Sequence, residues 1–229
     1  MVPSYFPADN RAIELGLKNA SMKDHEGDYW RIEERHLETQ FAECIRPRLA
    51  QGEVNHFSVF ALAPIPLLVK LGMLLSDIPA AEVYQLHREP ADWAWQVEEN
   101  NEYILSRPSE VKGAPAVILS LSATVVDSRI TSVLKEDHSI WKLSLAEPGN
   151  DYLKSRAQLS EFQKLFRKML DEIKAVHGQG TPIHIFPAVP VSVAVEIGRV
   201  WMPKADSSLV IYDQNTQAGG FVPTLTIGE

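Results

Sequence analysis

A single cysteine, Cys44, stands in a chain of 229 residues, so no disulfide closes within it and no zinc site built on paired cysteines can form. A reducing cytoplasm fits that usage. Basic residues are outnumbered, 22 Lys and Arg against 30 Asp and Glu, for a net charge of −8. That balance excludes a surface gripping a nucleic-acid polymer through its phosphates, which needs clustered cations. A small anionic ligand stays open, because backbone N–H groups at helix starts and one or two placed cations can hold it. No glycine-rich dinucleotide or nucleoside-triphosphate fingerprint occurs, nor H-E-x-x-H or G-x-S-x-G. Long apolar runs are also missing: the longest, Phe57 to Leu75, is cut by Pro64, Pro66, Lys70 and Gly72, which reads as strand, turn and helix rather than a membrane span. No basic-then-apolar leader follows Met1.

What is present is a repeat. Phe57-Ser-Val-Phe60-Ala-Leu-Ala-Pro64-Ile-Pro-Leu-Leu-Val69-Lys-Leu-Gly72 returns as Ile183-His-Ile-Phe186-Pro-Ala-Val-Pro190-Val-Ser-Val-Ala-Val195-Glu-Ile-Gly198 at a constant offset of 126 residues (186 less 60). Phe60 falls on Phe186, Pro64 on Pro190, Val69 on Val195 and Gly72 on Gly198. Each copy predicts a short strand, a proline-bearing turn and a helix ending near glycine. A second strand follows each copy, Glu82 to Gln85 and Leu209 to Asp213, with two residues more between in the second. Two half-size units of one fold predict a pocket on the axis between them.

Ahead of the first copy, apolar residues at Trp30, Ile32, Leu37, Phe41, Ile45 and Leu49 recur at helical spacing, with Pro47 as kink or end. Met1 to Asp28 reads as a linker or arm. Ahead of the second copy come a strand at Ala116 to Thr124, a helix at Val126 to Leu134, a strand at Ser139 to Leu145 and a helix at Leu159 to Val176. Alternating strands and helices predict an α/β fold with mainly parallel sheets flanked by helices, whose ligands sit outside the carboxyl ends of the strands.

Candidate residues gather at those ends. Ser120, Ser122 and Thr124 are small enough for close ligand approach, or serve to hydrogen-bond neighbouring backbone. The turns at Ala63-Pro64 and Pro187-Ala188-Val-Pro190 open helices whose N–H groups favour a phosphate, unless the prolines are only structural. Arg88, beside Gln85, Trp93 and Trp95, pairs a guanidinium with rings able to stack on a base; the competing reading makes the tryptophans core residues of a strand. Glu33, Glu34, His36 and Glu38 read as a solvated helix face rather than metal ligands. Cys44 reads as a small buried hydrophobe. No catalytic constellation is apparent.

The residues Phe60-Ala-Leu-Ala-Pro-Ile-Pro-Leu-Leu68 with Leu71-Gly72, Tyr84-Gln-x-His-Arg88, Trp93-x-Trp95, His184-Ile-Phe186, Pro190, Ile197-Gly-Arg199 and Val210-Ile-Tyr-Asp213 resemble the SAVED domain of bacterial CBASS anti-phage effectors, over roughly Tyr29 to Ile227. The resemblance implies two fused CARF-like, Rossmann-related units in a pseudo-twofold arrangement, with residues 1–28 as arm, 29–113 as first unit and 114–229 as second. It implies a cytoplasmic sensor, not itself an enzyme and needing no cofactor or metal, that binds a cyclic oligonucleotide second messenger and self-associates to switch on a fused effector. The first-unit motif looks closest to the HNH-nuclease fusions and so suggests a cyclic dinucleotide such as 3′,2′-cGAMP. An HNH motif is absent, so the chain is expected to be an isolated sensing domain without direct DNA binding. The ligand-binding residues implied are Ala63, Pro64, Gln85, Arg88, Trp93, Ser120, Ser122, Thr124, Pro187, Ala188, Tyr212 and Asp213. Arg88 and the helix starts would meet phosphates, and Ser122, Thr124 and Asp213 bases or ribose. The alternative is a ring nuclease, with Ser122 or Thr124 orienting the ligand and His87 as base.

Overall fold

A computed structural model describes residues 12–16, 22–54, 56–76, 81–97 and 102–228. The helical periodicity ahead of the first repeat gives α1 (Tyr29–Cys44) and α2 (Arg46–Ala50), broken at Ile45 so that Pro47 falls in the first turn of α2, where its missing N–H breaks no helical bond. The repeat itself gives β1 (Phe57–Phe60), α3 (Ile65–Leu74) and β2 (Ala81–Tyr84). Next come β3 (Tyr103–Ser106), β4 (Ala114–Ser120), α4 (Asp127–Thr131), β5 (His138–Leu145) and α5 (Arg156–His177). The second copy follows as β6 (Ile183–Ala188), α6 (Val191–Val200) and β7 (Leu209–Asn215), and β8 (Gly220–Ile227) closes the order.

The repeat is therefore structural as well as sequential. Helices α3 and α6 are ten residues each, start after Pro64 and Pro190, and coincide under the shift of 126. In each copy the second strand runs parallel to the first, with Phe57 opposite Ala81 and Ile183 opposite Leu209. The match also reaches back to the helices before each copy, since Tyr29 to Ala50 shifted by 126 nearly coincides with α5.

Strands β1 and β2 form a small parallel sheet, and the other six form a sheet in the order β3-β5-β4-β6-β7-β8. Its four central strands are parallel; β3 and β8 are antiparallel edges. Val117, Leu119, Ile185, Leu209 and Ile211 face the main core with the α5 stripe Phe162, Phe166, Met169, Leu170 and Ile173. Each such buried side chain contributes about 1.5–3 kcal/mol. Ala116, Ile118, Phe186 and Tyr212 face the other way, onto Ile130 of α4 and Phe221 of β8. A capping box starts α5: the Ser155 hydroxyl accepts from the Gln158 N–H at 3.3 Å, and the Gln158 side chain accepts from the Ser155 N–H at 2.9 Å.

Helices α3 and α6 cross backbone to backbone. A methyl on Gly72 would lie 1.9 Å from the Val195 carbonyl oxygen, and one on Gly198 would lie 1.9 Å from that of Val69. The contact is reciprocal, because Gly72 and Gly198 are repeat partners and so are Val69 and Val195. Two glycines near helix ends, read from sequence as stop signals, prove to be the condition for this crossing.

Several expectations change. Strand β4 stops at Ser120 and α4 is limited to Asp127–Thr131, so Ser122 and Thr124 stand in the connecting loop. Trp93 and Trp95 are half-buried in a segment that is not a strand. The acidic face of α1 is not simply solvated: Glu33 is buried, and Glu34 and Glu38 reach Lys70 of α3 at 2.7 and 2.6 Å. Burial works to lower the Lys70 pKa, but these two carboxylates outweigh it and the net shift is upward. The two acidic residues, one turn apart, neutralise a charge that α3 carries into its packed side. Cys44 is half-buried rather than a core residue.

Candidate functional site

The carboxyl ends of β4 and β6 lie side by side, with Ser120 opposite Ala188 and Leu119 opposite Pro187. Beyond them the Leu121 and Ser122 N–H groups both donate to the Ala188 carbonyl, at 3.0 and 2.7 Å. Ser120 is buried and its hydroxyl is occupied in the turn, donating to the Ala123 carbonyl and accepting from the Val125 N–H, each at 2.9 Å. Ser122 is half-buried and Thr124 exposed.

The loop between β5 and α5 joins this group to the first unit. Gly149 N–H donates to the Leu121 carbonyl at 3.0 Å, and Asp151 accepts from the Arg88 N–H at 3.3 Å and pairs with Lys154. Burial works to raise the Asp151 pKa, but Lys154 and the Arg88 N–H prevail and hold it below the usual value. The Arg88 side chain is exposed. His87 is buried beneath it, edge-on to Trp95, and burial together with Lys154 lowers its pKa. Trp93 stands edge-on to Phe60, whose ring stacks on Tyr84 at 4.7 Å and is 44% exposed. Phe60, Asp151 and Lys154 were not among the expected site residues. The rule that parallel-strand ends carry the ligand would have drawn attention to the segment after β5.

Gln85 leaves the end of β2 and is buried against the first turn of α6. Its side-chain oxygen accepts from the Ser192 hydroxyl at 2.7 Å and from the Ser192 N–H at 3.4 Å, and its amide donates to the Leu86 carbonyl at 2.8 Å. It thus bolts the first unit to a helix of the second. Ala63 and Pro64 open α3, where Pro64 and Pro66 remove two N–H donors and the Leu67 N–H turns back to the Pro64 carbonyl. The α6 start keeps its N–H groups at Val191, Ser192 and Val193.

Tyr212 and Asp213 lie within β7, just past its last parallel pairing with β6 at Ile211, and part company. The Tyr212 ring stacks on Phe186 at 4.2 Å, on the α4 side of the sheet, and its hydroxyl lies 3.0 Å from the His184 Nδ1. Asp213 is half-buried and accepts from the Gln214 N–H at 2.9 Å. Burial pushes its pKa up to about 6, and Asp24 adds to the shift. The structure therefore connects Arg88 with Ser120, Ser122 and Ala188 through the 146–155 loop, ties Gln85 to α6, and sets Tyr212 apart. A cavity of about 190 Å³ lies where β2 and Trp95 meet α5 and α6, lined by Glu82, Arg156, Gln163, Glu196 and Arg199. None of the expected ligand-binding residues lines it. Among the described residues, no three His, Cys, Asp or Glu side chains gather as a metal site, and no helix is long and apolar enough to cross a membrane.

Parallel strands covered by helices, with loops converging past their carboxyl ends, define a mixed α/β domain. The profile of the SAVED family, the SMODS-associated and fused to various effectors sensor domain, matches residues 37–227, and the chain belongs to that family. No curated protein sequence matches it. Among solved structures, the fold is similar to the Cap4 SAVED/CARF-domain containing receptor of Acinetobacter baumannii. Against its complex with the cyclic trinucleotide 2′3′3′-cAAA the TM-score is 0.59 at 11% identity, covering 89% of this chain and 44% of that one. Against the 3′3′3′-cAAA complex the values are 0.62, 12%, 85% and 43%. The Cap4 receptor of Moraxella osloensis gives a TM-score of 0.54 at 12% identity, covering 89% of this chain and 43% of that one. The chain thus spans less than half the length of these receptors.

Proposed function

We propose that this chain is the sensing domain of a bacterial, cytoplasmic anti-phage effector of the CBASS type, and that it binds a cyclic oligonucleotide between its two units. The units are 29–113 and 114–229, with 1–28 as an arm, related by an approximate dyad through the crossing of α3 and α6; β3, within 29–113, adds an edge strand to the sheet of the second unit. The observation that carries this reading is the reciprocal contact at that crossing, Gly72 with Val195 and Gly198 with Val69, which is what a duplicated unit facing its twin produces. The bolt from Gln85 to Ser192 supports it, since it brings the strand end of one unit to the helix start of the other. A ring-shaped ligand with phosphates on opposite sides suits a cleft with two such starts.

In this reading the ligand is a cyclic dinucleotide such as 3′,2′-cGAMP. Arg88 and the Val191 N–H at the α6 start meet its phosphates, with Ile65 the corresponding donor at the α3 start. Phe60 and Trp93 offer ring surface to a base, Ser122 and Thr124 contact base or ribose, and Ala63, Pro187 and Ala188 supply close backbone approach. Ligand binding drives self-association, which requires tighter binding to the assembled form, and switches on a fused effector of the HNH-nuclease type that this chain does not contain. The chain itself catalyses nothing. The test is a screen of melting temperature against cyclic di-, tri- and tetranucleotides. A rise with at least one ring and none with linear nucleotides is the expected result; a flat response to all removes the sensor reading.

A further inference from the structure

The two units differ at one pair of matched positions, and the difference bears on what the cleft selects. Laying β1 on β6 puts Ala81 on Leu209 and, four residues on, Gln85 on Asp213. The shift of 126 puts Pro66 on Ser192. On one side, Gln85 is fully engaged: the Ser192 hydroxyl and N–H donate to it from the first turn of α6. On the other, α3 packs against β7, but Pro66 has neither hydroxyl nor N–H to offer Asp213. Among the described residues the hydrogen bond to Asp213 comes from its own neighbour, the Gln214 N–H, at 2.9 Å to one oxygen. Among the described residues no side-chain cation approaches it, and those that act on it electrostatically, Asp24 and Tyr29, bring no positive charge. A half-buried carboxyl on β7, two residues past the last parallel pairing with β6 at Ile211, thus keeps acceptor capacity where its twin has none.

We propose that Asp213 is the base-selecting residue of the cleft and takes the Watson–Crick edge of a guanine. This rests on the reading that a cyclic nucleotide binds between the units. An ionised carboxylate only accepts. Guanine presents two adjacent donors, N1–H and the N2 amine, which a carboxylate can take together. Adenine presents an amine beside the N1 acceptor, and cytosine an amine beside N3, so each sets a lone pair against a carboxylate oxygen. Uracil places its single N–H between two carbonyls. Phosphates repel Asp213, and a ribose hydroxyl would give it a single donor, whereas the guanine edge gives it two. The first unit cannot make the same choice, because Gln85 is spent on Ser192, and the cleft demands guanine on one side only.

The test is calorimetry on the 229-residue chain and its Asp213→Asn variant, with cyclic di-GMP, 3′,2′-cGAMP, cyclic di-AMP and cyclic tri-AMP. The wild type is expected to favour guanine-bearing rings over adenine-only rings by about tenfold or more, the scale of a bidentate base contact. Asp213→Asn should erase that preference, weakening guanine-bearing rings while adenine-only rings bind as before or more tightly. If the variant tightens every ring alike, Asp213 acts only as a charge and the proposal fails. It also fails if the variant leaves the ratio unchanged, or if the wild type prefers adenine-only rings, though the ligand reading then stands. Failure of the wild type to bind any ring overturns the ligand reading and the base selection with it.

Discussion

The first and second units share a helix, a strand, a helix and a strand in the same order, yet they finish their strand ends with different chemistry. In the first unit the strand end is tied down: Gln85 to Ser192, Arg88 to Asp151, and Asp151 to Lys154. In the second, Tyr212 is packed away behind Phe186, and among the described residues the Asp213 carboxyl accepts from its neighbour, the Gln214 N–H. The buried centres of the matched helices differ as well. Lys70 of α3 is held by Glu34 and Glu38 of α1, while its partner Glu196 of α6 is held by Gln163 and Arg199. Duplication kept the backbone, and divergence reassigned the charges. One unit is rigidly completed by its twin, and the other retains a group that a ligand can satisfy.

The comparison is broken most directly at the helix crossing. Gly72→Ala and Gly198→Ala should each destabilise the fold by about 3 kcal/mol or more, because the added methyl meets backbone that cannot repack. If the contact is reciprocal in energy as in geometry, urea unfolding will give similar losses, whereas a neutral variant at either glycine contradicts it. Gln85→Ala should cost about 1–3 kcal/mol, since it leaves the Ser192 donors buried without their acceptor. Equilibrium unfolding at neutral pH measures this, and a change within a few tenths of a kcal/mol would remove the bolt.

Arg88→Ala probes the proposed site. Cyclic nucleotide affinity should fall about tenfold, the scale of a lost charge-assisted hydrogen bond, with the melting temperature nearly unchanged because the guanidinium is exposed. An unchanged calorimetric affinity takes Arg88 out of the site. The smallest effect should come from Asp213→Asn without ligand. The pKa of Asp213 is raised in the folded state, from 3.8 to about 6, so the folded chain holds the proton more tightly than the unfolded one. Its ionisation therefore costs nothing below about pH 4, begins to destabilise between pH 4 and 6, and costs most above that. The variant should gain about 1 kcal/mol at pH 7.5, allowing for solvent screening, and nothing at pH 4. Melting curves at the two values check it, and an equal shift at both would contradict a titrating Asp213.

Much of the fold was legible because the 126-residue repeat fixes two strand–turn–helix units at once, and because the α5 stripe and the runs at β4 and β5 follow the periods of their elements. Strands β3 and β8 were not read: β3 is four residues among polar neighbours, and β8 carries Gly220 and Pro223, which punctuate rather than signal a strand. The candidate site was legible as positions and less so as chemistry. Strand ends and proline turns can be placed from sequence. That Ser120 is spent in its own turn and Gln85 in its twin's helix depends on contacts between residues far apart in the chain, which no local pattern encodes.

The meeting of α3 and α6 has a mechanical corollary. With bare peptide against peptide at Gly72 and Gly198, the separation of the rods has no slack. Such a junction sets the spacing of the two rods at the thickness of two backbones, so any side chain larger than hydrogen at either glycine would act as a wedge driven between the halves of the duplication.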